Sequence, residues 1–234
     1  MKMEYLYFIF FAAEVICTYL YMYKNCGMKM KMITASAFLT AGLFLLLTGQ
    51  RYTSHYCCLL FAGLAASFIG DYVIKFNAFG MKELPGIISF AIAHILYISA
   101  FAVRVPPTKE TLWLLIPWAG IVAFFAWLGV KKIKIDFQGA GPAVLVYAMI
   151  ICVMVLLGLR AGIAVAAHGG IKALQAIALC IAVVSFMASD CGVCMQMFGS
   201  APDVYIGKHK LNFDRFSSVT YFGAQILLAA SMML

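Results

Sequence analysis

Four ionisable side chains stand inside apolar stretches of the chain: Glu14, Asp71, His94 and Asp190. An ionisable group in the middle of a bilayer costs about 2.5 to 3.5 kcal/mol on insertion scales, so each one is kept for a function or for a specific partner. Two carboxyl groups brought close together repel unless they share a proton or a cation. Such a pair keeps one proton available near neutral pH while the other member stays ionised, and so offers an acid and a base to one substrate. Asp71 and Asp190 are the candidates for that pair, and which of them is the acid is open. For His94 or Gln225 taken singly, an interhelical hydrogen bond that holds the bundle together competes with a role at a site.

Composition restricts the elements that carry these residues. Of 234 residues, 65% are hydrophobic and 11% are charged, where a soluble domain has about 25% charged. A water-soluble domain is thereby excluded. Eight predominantly apolar segments run from Glu4 to Tyr23, Met32 to Gly49, Ser54 to Lys75, Leu84 to Val103, Leu112 to Val130, Gly141 to Leu159, Ala173 to Phe198 and Phe216 to Leu234. Each is long enough to cross a hydrocarbon core of about 30 Å at about 1.5 Å per residue. The chain is therefore expected to be all-α, an integral membrane bundle of eight transmembrane helices forming one domain over residues 1–234. Pro85-Gly86, Pro106-Pro107 and Gly141-Pro142 punctuate the segments. The first apolar run is too long for the core of a cleaved signal and reads as the first span. Most of the eight cysteines fall inside spans, where they pack as small apolar groups, and the single CxxC of Cys191 and Cys194 is a weak metal signal.

Eight spans put both termini on one side of the membrane. That side holds six Lys and Arg residues and the other holds eleven, so the positive-inside rule makes the second side cytoplasmic and the termini external. The net charge of +8 is spread over short turns, which argues against a nucleic-acid partner. Asp71 and Asp190 fall in the half of the membrane nearer the basic side, with His94 near the middle and Tyr147, Thr220, Tyr221 and Gln225 in the basic-side halves of their spans. A cavity open to the basic side is the expected arrangement. Gly63, Ser67, Gly70 and Asp71 make one stripe of small residues that admits a neighbouring helix and leads to the carboxylate. Phe90, His94 and Tyr97 share a face, as do Thr220, Tyr221 and Gln225. Glu14 shares a face with Thr18 and Tyr21, and is either a third polar wall of the cavity or a group paired with a neighbouring helix.

The stretch FAGLAASFIGDYVI from Phe61 to Ile74, followed by GIISFAIAHILYISAF from Gly86 to Phe101, resembles the YhhN family of polytopic membrane proteins, whose members include lysoplasmalogenases. The family's Gly-Asp pair is matched by Gly70 and Asp71, and its Phe-x3-His-x2-Tyr helix by Phe90, His94 and Tyr97. Tyr147 and Met154 match a Tyr-x6-Met helix, Ser189, Asp190 and Phe198 match a Ser-Asp pair with a later Phe, and Thr220, Tyr221 and Gln225 match a final Thr-Tyr-x3-Gln helix. Two departures stand out: Lys31-Met32 replaces a frequent Lys-Pro, and Lys75 follows Asp71 by one helical turn. The resemblance implies hydrolysis of the vinyl ether bond of a lysoplasmalogen to a fatty aldehyde and glycerophosphoethanolamine or glycerophosphocholine. Asp71 and Asp190 would act jointly as proton donor and as stabiliser or water activator. His94, Tyr97, Tyr147, Ser189, Thr220, Tyr221 and Gln225 would orient the carboxyl groups or hold the glycerol portion, and Glu14, which matches none of the family's motifs, is a further candidate beside them. Lys29 and Lys31 at the basic rim would meet the phosphate or serve as topology anchors. No cofactor is implied; the expected partners are the lysophospholipid and membrane lipid, in a bacterial inner membrane or an internal eukaryotic one.

Two other readings compete. A metal-dependent lipid amidase could assemble three ligands from His94, Asp71 and Asp190, although only one histidine lies inside a span. A transporter or lipid-binding protein could use the buried acids for proton coupling, although no halves related by an inverted repeat are apparent.

Overall fold

A computed structural model of the chain describes residues 6–23, 27–76, 84–128, 131, 137, 141–167, 169–198, 205–206, 209–210 and 212–233. These form the helices α1 Tyr7–Tyr23, α2 Gly27–Leu47, α3 His55–Phe76, α4 Leu84–Arg104, α5 Lys109–Leu128, α6 Gly141–Ala166, α7 Gly170–Phe198 and α8 Phe213–Ala230. Turns of 3-10 helix follow α2 and α8, at Thr48–Thr53 and Ser231–Met233. The link from α7 to α8 holds a two-residue antiparallel pair, β1 Tyr205–Ile206 with β2 His209–Lys210. Among the described residues, six helices (α2, α3, α4, α6, α7 and α8) are long and apolar enough to cross a membrane. The chain is a multi-pass, essentially all-helical membrane protein. The shorter α1 is an apolar helix of 17 residues, and α5 carries Pro117 in its interior.

The bundle is organised around α8, which packs on α7, α2, α1 and α3. Of its spanning window 67% is buried, against 33 to 44% for the other five. It is also the least hydropathic of the six, because its polar residues face protein and not lipid. Asn212 starts it: the Asn212 carboxamide oxygen accepts from the Arg215 backbone N–H at 3.0 Å, supplying one of the partners that a helix start lacks.

The small-residue stripe of α3 meets α4. A Cβ on Gly63 would collide with the Tyr97 ring, and one on Gly70 would lie 3.0 Å from the Phe90 ring. Tyr97 and Phe90 thus occupy the space these glycines leave, which brings α4 close enough for its histidine to reach the interior. Ser89 adds a hydrogen bond to the Ala66 carbonyl at 2.8 Å.

Two expected boundaries move by more than four residues. Helix α2 starts at Gly27, a turn before Met32, so Lys29 and Lys31 are helix residues. Helix α6 runs past Leu159 to Ala166 and takes Arg160 with it. The Arg160 guanidinium donates to the carbonyls of Val105 and Pro106 at 2.9 and 2.7 Å, groups that the end of α4 leaves without helical partners. A charge that looks like the end of a span is therefore a cap on the neighbouring helix. Glu4, Val130 and Leu234, which bound three of the expected spans, lie outside the described residues.

Candidate functional site

Two polar centres lie inside the bundle. In the first, Asp71 of α3 receives the Lys31 ammonium of α2 on Oδ1 at 2.7 Å and the Tyr221 hydroxyl of α8 on Oδ2 at 2.6 Å. The Lys31 side chain keeps 19% exposure and that of Asp71 only 3%, so the lysine is the accessible member of the pair. The Tyr221 ring is held by edge-to-face contacts with Phe38, Phe90, Phe186 and Phe222. These rings fix the direction of its hydroxyl. Beside this centre, Tyr97 donates to the Gln225 carbonyl oxygen at 2.9 Å, and the Ser67 and Tyr97 hydroxyls are 3.3 Å apart. The Gln225 amide nitrogen is buried without a hydrogen-bond partner, so its two donors remain available to an oxygen.

In the second centre, Asp190 Oδ2 on α7 lies 3.3 Å from His94 Nε2 of α4 and accepts from the Tyr147 hydroxyl of α6 at 3.3 Å. The His94 contact lacks the alignment of a hydrogen bond. The other ring nitrogen, Nδ1, faces the Phe90 carbonyl oxygen. The imidazole therefore lies between a carboxyl group and a carbonyl, with an oxygen near each ring nitrogen. His94 is fully buried, with Phe186 and Tyr147 against its ring at centroid distances of 4.7 and 5.5 Å. The Asp190 side chain retains 15% exposure.

Phe186 touches both His94 and Tyr221, and Phe90 packs its ring on Tyr221 while its carbonyl faces His94. The two aspartates thus belong to one aromatic cluster, but each has a partner of its own. The open cavity expected on the basic side is closed over in this structure: Asp71, His94, Tyr97, Tyr221 and Gln225 are buried, and Lys31 and Asp190 supply the partly exposed edges. Packing wins because aromatic rings cover these side chains and neighbouring polar groups take up most of their hydrogen-bonding atoms.

Three of the expected site residues touch neither carboxyl group. Ser189 donates to the Ser217 carbonyl at 2.9 Å and joins α7 to α8 beside Asp190. Thr220 turns its hydroxyl back onto the Phe216 and Ser217 carbonyls of its own helix. Lys29 is exposed on the first turn of α2 and is not drawn into either centre. Glu14 is buried in α1, within electrostatic range of Asp71. Lys31 is the residue whose role the sequence conceals, since a lysine at a span end reads as an anchor; the signal is its helical phase once α2 begins at Gly27. Among the described residues, no three His, Cys, Asp or Glu side chains gather to hold a metal ion, so His94, Asp71 and Asp190 do not form one ligand set.

A model of the YhhN family matches residues 29–232, a stretch that includes both polar centres and leaves α1 outside it. No curated protein and no solved structure matches the chain. The match spans most of the sequence, and the chain belongs to the YhhN family.

Proposed function

We propose that the protein is a hydrolase within the membrane that cleaves the vinyl ether bond of a lysoplasmalogen to a fatty aldehyde and glycerophosphoethanolamine or glycerophosphocholine. The observation that carries this reading is the pair of carboxyl groups inside the bundle, buried Asp71 and half-buried Asp190, each with its own partners and joined through Phe186 and Phe90. A vinyl ether breaks when a proton adds to the carbon β to oxygen, leaving an oxocarbenium ion at the neighbouring carbon. Water adds there, and the hemiacetal collapses to aldehyde and the glycerol hydroxyl, with one water consumed.

His94 and Asp190 hold the transferred proton, because the ring stands between two acceptors and the pair is partly open. Asp71, in contact with an ammonium and a phenol, remains the anion that stabilises the positive carbon and orients the incoming water. Tyr147 and Tyr221 set the directions of the two carboxyl groups, and Gln225 offers its spare donors to a glycerol oxygen. Lys29 and Lys31 receive the phosphate at the basic rim. In this reading all eight helices cross the membrane, with the termini external and the partly exposed Lys31 edge of the site on the cytoplasmic side.

Purified protein in detergent, incubated with lysoplasmenylethanolamine, should release aldehyde, followed with a coupled dehydrogenase. A preparation that binds the lipid or moves a solute across vesicles and releases no aldehyde contradicts the hydrolase reading and supports a transport or binding role.

A further inference from the structure

The hydrocarbon chain of a lysolipid finds no room inside the bundle. Phe38, Tyr97, Phe101 and Phe186 are fully buried in one packed core, and a core at native density holds no void for a chain. A chain whose head reaches the polar centres must therefore leave them sideways, towards lipid. Helices α4 and α6, which carry His94 and Tyr147, pack on each other, and an open groove of about 370 Å³ follows their seam, within the range of about 300 to 1,000 Å³ in which small ligands sit. Ile98 of α4 forms one wall, and Leu145, Val146, Met149, Ile150 and Val153 of α6 form the other. No charged, hydroxyl or amide side chain lines it, so it suits a hydrocarbon and not a headgroup.

The groove adjoins the second polar centre. Ile98 follows His94 by one helical turn and Ile150 follows Tyr147 by three residues, so each stands next to a residue of that centre on its own helix. Asp190, which accepts from the Tyr147 hydroxyl, is also the more open of the two carboxyl groups. Leu145, Val146 and Met149 are exposed, whereas Ile98 and Val153 are half-buried and packed against the core. The groove thus opens to the bilayer while its floor belongs to the bundle. From Leu145 to Val153 the α6 wall spans about 12 Å at about 1.5 Å per residue, starting at the level of Tyr147. We propose that the seam between α4 and α6 is the subsite for the single hydrocarbon chain of the substrate, which enters from the bilayer with its first carbons beside Tyr147 and His94 and its tail against Val153. Val153 then sets the preference for chain length. The bond presented to the carboxyl groups rests on the hydrolase reading; the chain in the seam rests on the groove's lining, shape and position.

Photolabelling of the full chain in detergent tests this directly. The probe is an alkyl-ether lysophosphatidylethanolamine, which lacks the vinyl double bond and is not cleaved, with a diazirine in its chain; labelled residues are found by mass spectrometry. Label should fall on Ile98, Met149, Ile150 or Val153, and an excess of the unlabelled single-chain lipid should remove it where a two-chain phosphatidylethanolamine does not. Label spread over other exposed apolar faces, such as Ile9 of α1 or Trp113 of α5, or removed equally by the two-chain lipid, overturns the proposal whether or not any variant folds. In aldehyde release, Val153→Phe should lower kcat/KM about tenfold for an octadecenyl substrate and less than about twofold for a hexenyl one, whose chain ends short of Val153. An equal effect on both substrates, or none on either, overturns the role of Val153. Failure of the wild type to release aldehyde counts against the hydrolase reading and leaves the labelling to decide whether the seam holds a chain.

Discussion

At the scale of single residues, the two aspartates differ in what removing a partner should do. Asp71 is 2% exposed and depends on Lys31 for its counter-charge. Lys31→Met should cost about 3 to 5 kcal/mol of stability, because it leaves a buried carboxylate unpaired, and Lys31→Met combined with Asp71→Asn should recover most of that loss. Thermal unfolding in detergent measures both; a single variant no less stable than the double would show that the ion pair is not what closes α2 on α3. Asp190 is partly open and its neighbours are an imidazole and a phenol. Asp190→Asn and His94→Gln should each lower kcat about a hundredfold or more while the protein stays folded. The types of these residues are legible in the sequence, because an acid inside an apolar run has few structural uses. Their partners are not, because depth along a span gives a side chain's height in the membrane but not the direction it faces across the bundle.

At the scale of elements, the close approach of α3 and α4 rests on the absence of a side chain at Gly63. Gly63→Val should displace the Tyr97 ring, break its hydrogen bond to Gln225 and cost about 1 to 3 kcal/mol. Unfolding curves together with Tyr97→Phe, which removes the hydroxyl without touching the packing, separate the two contributions: equal losses in both would contradict the steric account. Small residues at helical spacing announce this contact in the sequence. The start of α2 is hidden because Met28, Met30 and Met32 alternate with Lys29 and Lys31, a pattern that follows neither a helical nor an apolar period. Lys29 tolerates it by keeping its charge at the exposed surface, and Lys31 by pairing its ammonium with Asp71. The end of α6 is hidden for a related reason: Arg160 looks like a boundary until the Val105 and Pro106 carbonyls are seen to need its donors.

At the scale of the whole molecule, α8 arrives last in the chain and becomes the centre of the bundle, bringing Tyr221 to Asp71 and a serine carbonyl to Ser189. The order of the motifs makes the family legible across most of the chain, whereas the division into two polar centres emerges only when α8 is inserted between the others. The proposed orientation, with external termini, rests on the distribution of the basic residues. Tags placed at either terminus should be reached by protease from outside intact cells, and tags reached only after the cells are opened would invert the topology.

The most direct test of the central claim is aldehyde release from lysoplasmenylethanolamine by purified wild type, Asp71→Asn and Asp190→Asn, each shown to be folded by its thermal transition. Two carboxyl groups acting together predict turnover by the wild type and its near abolition in both variants. Turnover retained in either folded variant, or none in the wild type, would contradict it.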